Sequence, residues 1–237
     1  MVQYDLVAKD YSEMIAVDPV KKFAQRPQLL NLLSPKKNEL ILDIGCGDGT
    51  IARMVAKKGA SVVGYDASIE QILLAKSKSK GLSNLEFLVS TPTIMSYPKK
   101  FDKAFAVMVL LYSDSEDMLQ SFFNSTFKLL KPSGTFVILD CLEEKIPFGA
   151  DSYGRTFVKT GANKAKITFS IPGSNPFAVD MMVFSKEKLE SCAKKAGFKS
   201  IQWKHLVPNK EGIKIMGAEY WANFIKQNYW EWMILKK

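Results

Sequence analysis

Apolar and polar positions change rhythm several times along this chain, and each change predicts an element. Over residues 1–35 the apolar positions recur at helical intervals. They are Leu6, Tyr11 and Ile15 in "YDLVAKDYSEMI", then Val20, Phe23, Leu29 and Leu32 in "VKKFAQRPQLLNLL". "SPKKN" breaks that pattern, and short apolar runs then alternate with amphipathic ones. "ELILDIG", "SVVGYD", "LEFLV", "KAFAVMVLL" and "TFVILD" read as strands. Between them, "GTIARMVAKKG", "SIEQILLAKSKSKG" and "SEDMLQSFFNSTFKLLKPSG" read as helices, with Ser68 as an N-cap and Gly59 as a C-terminal stop. Strands alternating with helices predict a parallel sheet covered on both faces, and strands that are nearly continuous apolar runs agree with it.

The rhythm loosens after Asp140. Residues 145–184 are rich in Gly, Pro, Ser and Asn, with two weak strand signals, "KAKITFS" and "FAVDMMVF". A helix, "SKEKLESCAKKAGF", a strand, "KSIQWKHLV", another helix, "GAEYWANFIKQ", and a final strand, "YWEWMILKK", follow. The expected organisation is one domain over residues 1–237, with 1–35 a helical cover and 145–184 an inserted substrate cover.

At 237 residues and 47% apolar content, a single domain with a substantial core is expected. No apolar run approaches the roughly 18 residues of a membrane span, and charges interrupt "MVQYDLVAKDYSEM" where a signal peptide needs an apolar stretch. A cytoplasmic, membrane-free protein is the expectation. Cys46, Cys141 and Cys192 make neither a metal spacing nor a disulfide framework, and with His205 the sole histidine no metal site is expected. The net charge of +9 comes from dispersed lysine pairs, which reads as a solvated surface and not as a nucleic-acid interface.

The chemistry centres on "LDIGCGDGT", residues 42–50. A strand–loop–helix unit sets this loop at the carboxyl end of a parallel strand, where ligands of open α/β sheets bind. Gly45, Gly47 and Gly49 allow a sharp turn and close approach of a ligand. The next strand ends in Asp66, placed to accept ribose hydroxyls, so loop and acid together imply a nucleoside-bearing cofactor. Gly47-x-Gly49-x-x-Ala52 also fits the loose dinucleotide pattern. Against that reading, Asp43 would repel a pyrophosphate but suits a cationic amino or sulfonium-bearing chain. The glycines also alternate from Gly45, and helix precedes the first strand.

These residues resemble class I S-adenosylmethionine-dependent methyltransferases. "LDIGCGDG" is similar to their D-x-G-x-G-x-G motif, "VVGYDAS" to their second motif, and "LLKPSGTFVI" to the turn into their fifth strand. "YDLVAKDY", "SKEKLESCAKKAGFKSIQW" and "EGIKIMGAEYWANFI" resemble a small-molecule subgroup that includes toxoflavin-forming N-methyltransferases. The resemblance implies a doubly wound, Rossmann-like, seven-stranded and mostly parallel sheet with the last strand antiparallel. It implies S-adenosylmethionine held by Tyr11, Asp43, Gly45, Cys46, Gly47, Gly49, Asp66, Ala67, Ser68, Thr91, Pro92 and Val109, with backbone help near Ile94. Thr91 stands where the family usually has an acid that reads adenine.

Methyl transfer from a sulfonium is an in-line displacement. Positioning is the main task, worth roughly 7–11 kcal/mol in well-oriented systems, and a base is needed only if the acceptor must lose a proton. His205 and Tyr11 are the weak catalytic candidates. The acceptor is expected near Leu110, Leu111 and Tyr112, as a small, flat, aromatic or heterocyclic metabolite methylated at nitrogen or oxygen. Tyr153, Phe157, Phe169, Phe177, Tyr220 and Trp221 are its candidate lining. The partners expected are this small molecule and nothing nucleic, on a monomer or homodimer. Methylation of RNA or protein, cofactor binding without turnover, and a dinucleotide enzyme are the competing readings.

Overall fold

The computed structural model describes residues 3–91, 95–227 and 229–237, with side chains from residue 9 onward. Helix α1 (Gln3–Val17) is followed by a π-helical turn (Lys21–Gln25) that runs into α2 (Arg26–Leu33). Then come β1 (Leu40–Ile44), α3 (Thr50–Ala56), β2 (Ser61–Asp66), α4 (Ile69–Lys78), β3 (Leu85–Val89), β4 (Phe101–Val107), α5 (Glu116–Leu129) and β5 (Leu130–Cys141). The chain continues through β6 (Arg155–Gly161), β7 (Lys164–Phe169), β8 (Phe177–Met182), α6 (Lys186–Ala196), β9 (Ser200–His205), α7 (Lys210–Met216), α8 (Ala218–Lys226) and β10 (Trp230–Lys236).

Seven strands form one sheet in the order β3-β2-β1-β4-β5-β10-β9. β10 pairs antiparallel with both neighbours and the other contacts are parallel, so the expected seven-stranded, doubly wound sheet with its last strand reversed is present. Adjacent strand residues point to opposite faces, and the core divides accordingly. Ile41, Val62, Phe105, Val137 and Trp232 pack with Leu29, Leu33, Val55 and Ile72 on one face. Leu42, Val63, Ala104, Phe136 and Met233 pack with Leu119, Phe123, Leu189 and Ala193 of α5 and α6 on the other. Ser68 and Ser185 cap α4 and α6, their hydroxyls accepting from Gln71 N and Lys188 N at 3.2 Å.

Segment 145–184 departs from its reading. It holds three antiparallel strands in the order β6-β7-β8, one more than its two signals predict. β6 carries a buried arginine, Arg155, where an inward apolar residue would have shown the strand. Phe157, Ile167, Phe169, Phe177, Val179 and Met181 of this small sheet join the same apolar cluster as Met14, Val20 and Phe23 of the N-terminal segment. A buried ion pair between Arg155 and Asp18 fastens the two pieces together. No helix among the described residues is long and apolar enough to cross a membrane.

Candidate active site

At the carboxyl ends of β1, β2 and β4 lies a cavity of about 750 Å³. Its floor is the loop between β1 and α3. Gly45, Gly47 and Gly49 all take positive φ, at 66°, 51° and 74°. They serve different purposes. A Cβ on Gly49 would fall 2.7 Å from Phe87 Cζ and one on Gly45 would fall 2.6 Å from Val109 Cγ2, so both are demanded by packing. A Cβ on Gly47 would meet nothing nearer than Gln71 Oε1 at 3.7 Å and would occupy the cavity itself.

Three carboxylates surround the loop. Asp66 ties it down, accepting from Gly47 N with Oδ2 and from Ser68 N with Oδ1, each at 2.9 Å. Asp48 Oδ1 accepts from Thr50 N and Oγ1, while its Oδ2 accepts from Ser12 Oγ and Lys78 Nζ. Burial works to raise Asp48, but the donors Lys78, Thr50 and Ser12 outweigh it and hold the group below the usual carboxylate range. Asp43 is different. It is buried, lines the cavity, and its Oδ2 has no hydrogen-bond partner among the described residues. Burial, with the nearby charge of Asp66 adding to it, pushes its carboxyl well up. A buried acceptor atom left open beside a cavity is costly unless a donor arrives. Gln71 of α4 presents the same signal, its buried amide oxygen and nitrogen both unpartnered among the described residues.

Asp140, at the end of β5, shapes the opposite wall. Its Oδ2 accepts from Leu110 N at 3.0 Å, fixing the 3₁₀ turn Leu110–Tyr112 that follows β4. Burial raises this carboxyl to about 7 although backbone N–H groups of Cys141, Leu110, Leu111 and Val109 hold it down.

Of the sequence-predicted residues, Tyr11, Asp43, Gly45, Cys46, Gly47, Asp66, Ala67, Thr91 and Val109 line the cavity together. Gly49 sits behind the loop, and Ser68 is fully buried as the cap of α4; neither reaches the cavity. Pro92 and Ile94 lie outside the described residues. His205 is not a member of the site. It stands exposed at the end of β9 with Nδ1 3.2 Å from Glu231 Oε1, because the strand order puts β9 at the far edge of the sheet. Leu111 and Tyr112 line the cavity, whereas Leu110 points into the other core.

The aromatic lining expected of the cover is absent from the main cavity. Tyr153 packs edge-on against Tyr220 and Phe224, Phe157 against Tyr229, and Phe169 stacks on Phe177. Strand register turns Phe157, Phe169 and Phe177 into the core, and the cavity wall receives Met108, Met118, Met181 and Met182 instead. Sequence reasoning also missed Lys21, Arg26 and Gln71. Arg26 reaches the cavity rim while its Nη2 donates to Ile15 O at 2.6 Å. No cluster of acidic, histidine or cysteine side chains suited to a metal occurs among the described residues.

An acid-rich floor, an unpartnered carboxylate oxygen and a bare-backbone cradle suit a ligand with a cationic chain and a nucleoside. Known proteins agree. A family model described as "Methyltransferase domain" matches residues 35–204. The demethylmenaquinone methyltransferase of Tropheryma whipplei is 24% identical over 74% of this chain and 72% of its own length. The ubiquinone biosynthesis O-methyltransferase of Pelagibacter ubique is 35% identical over 44% of this chain and 42% of its own. An S-adenosylmethionine-dependent methyltransferase structure from Clostridium acetobutylicum superposes with a TM-score of 0.70, covering 98% of each chain at 17% identity. With most of its length, glycine loop included, inside the family match, the chain belongs to the methyltransferase-domain family and is a class I S-adenosylmethionine-dependent methyltransferase.

Proposed function

We propose that this enzyme methylates nitrogen or oxygen of a small, partly apolar, aromatic or heterocyclic metabolite by in-line displacement. The observation that carries the reading is the open Oδ2 of Asp43 beside Gly45 and Gly47, in a cavity of about 750 Å³. That volume accommodates a cofactor with a small acceptor and little more.

S-adenosylmethionine supplies an already activated methyl group. The chain's own residues bind, orient and exclude water. Asp43 receives the amino group at the methionine end, and Arg26 with Tyr11 faces the carboxylate. Asp66 accepts from the ribose hydroxyls while holding the loop through Gly47 N. Ala67, Gln71 and Thr91 flank the adenine; the Gln71 amide supplies the donor and acceptor that a lone Thr91 hydroxyl would not. The acceptor lies between the post-β4 turn, at Leu111 and Tyr112, and the methionines of the cover. The small-molecule reading is supported by the two curated relatives, both named for quinone methylation. The resemblance to toxoflavin-forming enzymes supports a heterocycle as one acceptor class.

The test is a thermal-shift titration with S-adenosylhomocysteine, followed by methyl transfer across a panel of phenols, heterocycles and amines. Ligand should raise the Tm of the wild type. Asp43→Asn, which loses a charge-assisted hydrogen bond, should weaken binding by roughly 10–100-fold. A wild type whose Tm ignores the ligand overturns the proposal.

A further inference from the structure

Lys21 opens the π-helical turn and lines both the main cavity and a small recess that shares Tyr11, Met108, Leu111 and Tyr112 with it. Only 9% of it is exposed. Its amine makes no hydrogen bond or ion pair among the described residues, and lies 5.4 Å from the Tyr11 ring centroid. Its main chain is held instead, Lys21 N lying 3.4 Å from Asp18 Oδ1. A π-helical turn of this kind is a local departure that recurs at functional sites.

We propose that Lys21 takes the proton of an acidic acceptor hydroxyl, which makes the enzyme an O-methyltransferase of phenols or enols. The proposal rests on the methyltransferase reading of this same cavity and narrows its acceptor. In the step, the acceptor O–H bond breaks and its proton passes to the neutral amine, giving an ammonium beside an oxyanion. The oxyanion forms the new O–C bond, the sulfur–methyl bond breaks, and its electron pair stays on sulfur. Charge is conserved throughout.

The surroundings make this amine easier to deprotonate than an ordinary lysine. Burial lowers the Lys21 pKa to about 8, with Asp18 opposing and Arg155 and Arg26 reinforcing the shift. Asp48 is the remaining acid that favours the charged form, and Tyr11 faces the amine as an un-ionised phenol, its own ionisation suppressed by burial. From the cover, Lys164 and Asp180 also line the cavity, with opposite charges. Asp18 is already committed to Arg155, so it does not claim the amine. A methionine-lined wall beside a buried basic nitrogen fits a flat organic acid better than a cation.

The probe is para-nitrophenol, whose ionised form absorbs visible light. Para-nitroanisole, which has no proton to give, is the control. In wild-type enzyme saturated with S-adenosylhomocysteine, the bound probe should keep the phenolate band to a lower pH than the free probe does, because the pair formed is ammonium beside phenolate. Lys21→Met should lose the band while binding S-adenosylhomocysteine with unchanged affinity. Absence of the band in wild type, or its survival in the variant, overturns the role of Lys21 and leaves the cofactor reading intact. Failure of wild type to bind S-adenosylhomocysteine sinks both. Should the variant not fold, acetic anhydride labelling of wild type decides. Para-nitrophenol, but not para-nitroanisole, should protect the Lys21 amine, and equal labelling with either overturns the proposal.

Discussion

On the sheet side of the cavity, backbone makes the binding surface: glycines at positive φ, with Asp66 and Asp48 gripping the N–H groups of the turn. On the cover side, side chains make it. Arg155 reaches across from β6 to Asp18, Lys21 faces inward from a helix, and methionines fill the wall. The first surface is set by conformations few residues can adopt, so it tolerates little change. The second is set by packing between separate pieces of chain, so it can be re-shaped while the floor stays.

The sharpest way to break the cover alone is to cut its buried ion pair. Arg155→Met leaves Asp18, fully buried, without its partner. Loss of one partner of such a pair costs about 3–5 kcal/mol. Chemical denaturation should show that loss, and Asp18→Leu combined with Arg155→Met should recover a good part of it, because two apolar residues leave no stranded charge. Affinity for S-adenosylhomocysteine should fall far less than stability does.

Lys21 separates the two regions by pH. Its folded pKa, about 8, is depressed from the ordinary 10.5. Below about 8 the amine is charged folded and unfolded, and its burial penalty is fully felt. Between 8 and 10.5 the unfolded chain binds the extra proton, so stability rises with pH across that window, by about 3 kcal/mol. Lys21→Met should flatten the rise; a variant that tracks wild type across the window removes the buried-amine picture.

Glycine substitutions divide the floor further. Gly47→Ala and Gly49→Ala both force a side chain into left-handed backbone, at roughly 1–2 kcal/mol each. Gly49→Ala also drives a methyl onto Phe87, adding an overpacking cost of about 1–3 kcal/mol. Gly47→Ala should lose the less stability but the more affinity for S-adenosylhomocysteine, since its methyl enters the cavity. The reverse ordering in paired unfolding and calorimetry experiments would mean that Gly47 does not face the ligand.

What the sequence made legible follows the same division. "LDIGCGDG" announced the floor because few residues can do what glycine does there, and Asp66 stood at a fixed strand end. The alternation of strands and helices carried the parallel sheet with both faces covered, because parallel strands buried on both faces have a distinctive apolar rhythm. The cover hid itself. β6 has a buried arginine at an inward position, which disguises its period. The rings of Phe157, Phe169 and Phe177 looked like pocket lining, but which way a strand residue points depends on register, and register is set by partners distant in sequence. Lys21, Arg26 and Gln71 read as ordinary helix-surface polar residues, and only tertiary packing turns them inward. His205 drew attention by being unique, which says nothing about where its strand sits.

The smallest expected effect joins the two regions. Lys78 Nζ donates to Ser12 Oγ of α1 and to Asp48 Oδ2 of the loop, each at 2.6 Å, and so latches the helical cover onto the floor. The lysine side chain is 40% exposed, so water and salt screen the pair and its contribution to stability is about 0–1 kcal/mol. Lys78→Met should therefore barely move the denaturation midpoint at neutral pH. Asp48 titrates below the ordinary carboxylate range in the fold, so the stability it contributes is present above its unfolded pKa and is lost as pH falls through the folded one. Without Lys78 the folded value rises toward the ordinary one, so that acid limb should become shallower. The larger consequence is kinetic. The latch holds α1, which carries Tyr11, across the cavity, and freeing it should speed release of S-adenosylhomocysteine in stopped-flow experiments more than it changes stability. An unchanged release rate would show that α1 closes over the ligand through its apolar contacts, Tyr11 on Phe177 foremost, and that the polar latch merely decorates the seam.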